Sequence, residues 1–215
     1  MAEVSIGESD ALLVIDVQND FLPGGALGVP DGDAVAPLIN RLAKLFKNVV
    51  LTQDWHPDDH ISFASTHGAK PLDIAQTPYG AQILWPDHCL QGSPGAALAE
   101  GLAIDHAFLV LRKGTNAEVD SYSAFKEADG KSSTGLADML KAKGVTRVFA
   151  CGLATDYCVA ASALDARHMG FDTYVIDDAC RAIDANGSLD AAWAQMNAAQ
   201  VWRIQSAALL ARAQT

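Results

Sequence analysis

Basic residues are scarce in the first half of this chain. Residues 1–107 hold four Lys or Arg against fourteen Asp or Glu, residues 108–215 are nearly balanced, and the formal net charge is −11. Binding to a phosphate backbone needs basic patches, so no nucleic-acid partner is expected. There are 4 cysteines. Cys89, Cys151, Cys158 and Cys180 form no C-x-x-C pair and no disulfide-framework spacing. No apolar run approaches the ~20 residues that span a bilayer, so no membrane partner is expected. The opening MAEVSIGESD lacks the basic stretch and apolar core of a secretory signal. The expectation is a cytoplasmic protein with free thiols. The G-x-G-x-x-G fingerprint of a dinucleotide-binding module is missing after the first strand, where Gln18-Asn19-Asp20-Phe21 stands instead. Repeats and low-complexity tracts are absent.

What is present is an apolar half with 19% charged residues, which excludes intrinsic disorder. A chain of this length buries roughly 70% of its unfolded surface without a disulfide or metal staple. Six apolar runs read as strands: Leu12–Val17, Val49–Thr52, Phe108–Leu111, Val148–Cys151, Thr173–Ile176 and Val201–Ile204. Their near-continuous apolarity fits a parallel sheet covered on both faces. Between them lie helical patterns: Val35, Leu38, Ile39, Leu42 and Leu45; Leu136, Met139 and Leu140, with Ser133 as cap; Asp156 to Met169; and Leu189, Ala192, Trp193 and Met196. A short helix closes the chain. The alternation predicts one α/β domain over residues 1–215, three layers deep, with a mostly parallel six-stranded sheet. Gln18–Gly32 and Trp55–Gly95 are long irregular stretches, which in compact domains are usually functional.

Ligands of such sheets bind beyond the carboxyl ends of the strands. Asp16, Asp54 and Lys113 stand at three of those ends, and Gly152 to Cys158 form a turn after the fourth. Cys158 falls in the first turn of the predicted helix, where the helix N-terminus and a nearby lysine lower a thiol pKa. Thiol, carboxylate and cation are the parts of an activated nucleophile. A buried, inert thiol is the alternative, and position alone does not choose between them. Cys151 and Cys180 lie in or after strands and read as structural.

A second group is Asp54-Trp55-His56-Pro57-Asp58-Asp59-His60, followed by Trp85-Pro86-Asp87-His88. Carboxylate and imidazole together suit zinc, iron or manganese. Solvated loop histidines are the alternative. Asp58, Asp59 and Asp87 read as solvated acids, and His67, His106 and His168 as background.

The stretches LLVIDVQNDFLPGGALGV, LTQDWHPDDHISFAS, WPDHCLQGSPGA, RKGTNAEVDSYSAF and VFACGLATDYCVAASALDA follow one another in an order that resembles the nicotinamidases of the isochorismatase-like cysteine hydrolases. The resemblance implies the isochorismatase-like hydrolase fold and a triad of Asp16, Lys113 and Cys158. It implies one divalent metal ion, zinc or iron and also manganese, on Asp54, His56 and His88. His60 is similar to a histidine that ligates the metal in some members and stands behind the ligands in others. A cis peptide at Leu153–Ala154 is implied too, with the N–H groups of Ala154 and Cys158 as the oxyanion hole. Phe21, Trp85, Tyr122 and Leu153 would border the pocket. The implied reaction converts nicotinamide to nicotinate and ammonia for NAD salvage, with pyrazinamide as a second substrate, by a monomer or homo-oligomer. The alternatives are a related cysteine amidase for a carbamoyl or ureido substrate, an isochorismatase, a metal-binding protein without catalysis, and a small-molecule binding module.

Overall fold

The central strands carry apolar runs with polar residues gathered at their ends. The computed structural model describes residues 4–211, so residues 1–3 and 212–215 of the expected domain lie outside the described residues. In chain order the elements are β1 (Asp10–Ile15), α1 (Ala36–Ala43), β2 (Asn48–Asp54), β3 (Ile74–Thr77), β4 (Gly80–Ile83) and β5 (Leu109–Lys113). They continue as α2 (Leu136–Ala142), β6 (Arg147–Leu153), α3 (Ala160–His168), β7 (Asp172–Arg181), α4 (Ser188–Ala198), β8 (Trp202–Ile204) and α5 (Ala207–Leu210). Every residue of β1 and β2 is buried, the signature of a strand covered on both faces.

Six strands form one sheet in the order β5-β2-β1-β6-β7-β8. All of its neighbouring pairs are parallel. From β1 the chain winds outward through β2 to β5, then returns across the sheet to β6 on the other side of β1. The reversal puts a crevice between the carboxyl ends of β1 and β6, where such sheets bind ligands. α3 packs on β6 and β7 and against α4, and α1 also reaches β7.

Three local expectations are corrected. The stretch from Trp55 to Gly95 is not wholly irregular: β3 and β4 pair as an antiparallel hairpin. Its residues are mostly half or fully exposed, so it carries no apolar run to reveal it. Ser133 is not the cap of α2. Gly135 precedes that helix at φ 81°, and the Ser133 hydroxyl instead accepts the Gly135 N–H at 3.1 Å. The helix predicted from Asp156 opens with a π-helical turn, Thr155–Val159, that runs straight into α3. Among the described residues no helix is long and apolar enough to cross a membrane.

β6 and β1 approach closely at one glycine. Gly152 has φ +115°, and a Cβ there would overlap the backbone of Ile15. Strain and overpacking add in that position, so Gly152→Ala is expected to cost about 3 kcal/mol or more. Urea unfolding measures it, and an unchanged midpoint would contradict this packing.

Candidate active site

Asp16 directly follows β1, is fully buried and holds φ 46°, a region few side chains adopt. Thr52 of β2 clamps it there. The Thr52 hydroxyl accepts the Asp16 N–H at 3.0 Å and donates to Oδ1 at 2.5 Å. The other oxygen, Oδ2, lies 2.9 Å from Lys113 Nζ but has no directed hydrogen bond, which leaves it able to take a proton.

Lys113 ends β5 and is 1% exposed. Its ammonium also pairs with Asp54 Oδ1 at 2.5 Å, donates to the Ser121 carbonyl at 2.8 Å and lies 3.5 Å from Cys158 Sγ. Burial works against its charge, but Asp16, Asp54 and the thiol outweigh burial and hold its pKa well above the ordinary value.

Cys158 sits in the turn between β6 and α3. The Ala154 carbonyl accepts the Val159 N–H, an i to i+5 bond, so the turn is π-helical rather than the first turn of an α-helix. Asp156 holds it in place by accepting the Ile183 N–H, the Asp184 N–H and the Ser188 hydroxyl at 3.1, 2.8 and 2.5 Å. The Leu153–Ala154 peptide bond is cis. The expected lowering of the thiol pKa is not what the resting site produces. Burial pushes the Cys158 thiol well up; Lys113 opposes this, while Asp16 and Asp54 reinforce it. The thiol rests protonated and needs a base. Cys151 and Cys180 are buried in the sheet, with burial pushing Cys180 up to about 12.

Beside the triad, one ligand atom from each of Asp54, His56 and His88 lies within 4.8 Å of the others. The two rings are aimed by their far nitrogens. His56 Nδ1 donates to the Gly114 carbonyl at 2.8 Å and His88 Nδ1 to the Pro86 carbonyl at 2.7 Å, leaving each Nε2 free to ligate. Gly114 is required here, since a Cβ on it would overlap the His56 ring. Burial, first of all, lowers the pKa of His56, His60 and His88, so the imidazoles are neutral, the form that binds metal. His60 stacks 4.1 Å from His56, bonds Ser62 Oγ through Nδ1 at 2.7 Å, and has a buried Nε2 with no partner. Oriented neutral imidazoles, a carboxylate and an orphaned nitrogen fit a divalent cation.

A narrow cavity lies over these groups. Phe21, Trp85 and Tyr122 line it, and Trp85 Nε1 donates to Tyr122 Oη at 2.9 Å. Leu153 does not line it; its side chain is fully buried and faces the loop at Gly32. Sequence reasoning missed Leu27, Asp120, Ser121, Tyr157 and Ile183, which also line it. Asp120 and Ser121 stood within the quoted DSYSAF motif, and Tyr157 next to the proposed nucleophile.

A family model described as isochorismatase domain matches residues 10–208. A nicotinamidase of Acinetobacter baylyi is 53% identical over 201 residues, covering 93% of this chain and 94% of that protein. The solved structure of a nicotinamidase/pyrazinamidase from Acinetobacter baumannii has a TM-score of 0.92 and 54% identity, covering 93% of this chain and 97% of that one. A pyrazinamidase of Pyrococcus horikoshii, solved in complex with zinc, has a TM-score of 0.74 and 36% identity, covering 92% and 99%.

The raised thiol pKa is testable. In chelator-treated protein, alkylation of Cys158 by iodoacetamide is expected to climb with pH through the ordinary thiol range near 8.5 without levelling off. Mass spectrometry of the labelled peptide follows it. A plateau below about pH 8 would show a thiolate at rest.

Proposed function

The chain belongs to the isochorismatase domain family, and from that premise we propose that it hydrolyses nicotinamide to nicotinate and ammonia as a cysteine amidohydrolase. The observation that carries this reading is the meeting of Cys158, Asp16 and Lys113 beneath an aromatic cavity that also holds Asp54, His56 and His88.

Phe21, Trp85 and Tyr122 sandwich the flat pyridine ring and exclude water. Lys113 lies 2.9 Å from Asp16 Oδ2, the oxygen that accepts the proton from Cys158 Sγ as sulfur attacks the amide carbon. The N–H groups of Ala154 and Cys158 are the proposed donors to the resulting oxyanion, where losing one donor typically costs about 3 kcal/mol. Asp16 returns its proton to the departing nitrogen, the C–N bond breaks and ammonia leaves. Water then cleaves the nicotinoyl thioester, its proton passing through Asp16 back to the thiol. Asp54, His56 and His88 would hold one divalent metal ion, zinc, iron or manganese by donor type, with His60 beside them. A metal held there would supply a Lewis acid beside the ring that Phe21, Trp85 and Tyr122 enclose. The zinc in the Pyrococcus relative supports this reading. A role in NAD salvage follows from the proposed product.

Cys158→Ala is expected to lower ammonia release from nicotinamide by at least about 10³-fold, with circular dichroism unchanged. Retained turnover would remove the thiol from the mechanism.

Pyrazinamide, a near-isostere with the same amide and a nitrogen at the same ring position, should be hydrolysed as well. Benzamide, which lacks the ring nitrogen, should not. Product analysis by chromatography separates the cases, and equal turnover of benzamide would overturn metal-directed positioning. Chelation should abolish nicotinamide turnover and metal add-back should restore it.

A further inference from the structure

Asp120 lies in the loop that leaves β5, and its carboxylate is 3% exposed. One oxygen accepts the Ser121 N–H at 2.8 Å and the other accepts Gln82 Nε2 at 2.8 Å. Both donors are neutral. No lysine, arginine or histidine stands within 4.0 Å ion-pair distance of it among the described residues. An ionised carboxylate buried without a countercharge is costly, and natural sites pair it or give it a metal.

What faces Asp120 is imidazole. One ligand atom each from His56, His60 and Asp120 lies within 4.8 Å of the others. Because Ser62 occupies Nδ1 of His60, the atom that ring offers is Nε2, which is buried and unpartnered. An orphaned nitrogen and an unpaired carboxylate thus share one gap. The gap adjoins the Asp54, His56 and His88 group through their common member, His56.

Asp16, Asp54, Asp120 and Lys113 are all buried in this region, three acidic side chains beside one lysine.

We propose that Asp120, oriented by Gln82, is a second carboxylate of the metal centre, holding the ion with His60 directly or through one ion-bound water. This rests on the metal-dependent reading above, and metal affinity can be measured without reference to turnover.

The experiment is competition of purified protein with a fluorescent zinc chelator, comparing wild type with Asp120→Asn. The Asn variant keeps the size and removes the charge. Its zinc dissociation constant is expected to rise ~10–100-fold, as when partners around metal ligands are lost, while the thermal midpoint of the metal-free proteins stays alike. Asp120→Glu should recover part of the affinity, which a merely structural role for the side chain would not produce. Should Asp120→Asn not fold, Gln82→Leu tests the same geometry by removing the donor that aims the carboxylate, and it should also weaken zinc. Affinity of either folded variant within twofold of wild type would overturn the assignment. If wild type itself bound no zinc, the metal-dependent reading would fall first, so the two failures are distinguishable.

Discussion

The site depends on one buried ammonium. Lys113 has no water to solvate it, and its charge survives only because Asp16 and Asp54 stand within ion-pair distance on either side. The dependence is mutual. Without that charge two carboxylates would be buried close together, and burial already pushes Asp54 upward against the pull of Lys113. Removing one partner of such an arrangement leaves an uncompensated buried charge, typically costing about 3–5 kcal/mol. Lys113 thereby joins the proposed proton acceptor to the proposed metal ligand, so the two halves of the site share one electrostatic support.

The sheet determines that these groups meet. β5, β2 and β1 are parallel neighbours, and the register that pairs Asp54 with Lys113 sets the two side chains at one end of adjacent strands. Thr52, two residues before Asp54, turns the same way and fastens Asp16 on the next strand. β6 comes from the far side of the fold and delivers Cys158 into the crevice where the strand order reverses. Two glycines make the approaches possible: Gly152 lets β6 press on β1, and Gly114 leaves room for the His56 ring. Both occupy backbone regions that favour glycine, so the residue type follows from the geometry.

Much of this was legible in the chain because burial on both faces writes itself as continuous apolar runs. All six sheet strands were visible, although β7 runs to Arg181 where only Thr173–Ile176 was apolar enough to recognise. Polar residues at the ends of those runs marked Asp16, Asp54 and Lys113 as neighbours. The hairpin β3–β4 was invisible because half-exposed strands mix polar and apolar residues without a clean period. Its importance was hidden with it, since Gln82 on β4 reaches Asp120. Asp120 itself looked like any loop acid; only folding shows that it is buried and lacks a cation. The π-turn at Thr155–Val159 was missed for a related reason. Asp156 anchors it by long-range bonds to residues 183–188, and local helix propensity carries no record of them.

The pKa of Cys158 is where local and tertiary physics part most sharply. A cysteine near a helix start and a lysine suggests a ready thiolate. In the fold, the same lysine is already engaged by two carboxylates, so the thiol experiences a nearly spent cation, two negative neighbours and little water. A standing thiolate would add another buried negative charge to a region already short of positive charge. Keeping the proton on sulfur until a substrate carbonyl arrives avoids that cost and keeps the free thiol less open to oxidation. The general base is therefore a requirement of this site. Asp16 suits it because Thr52 satisfies Oδ1 and leaves Oδ2 without a directed hydrogen bond.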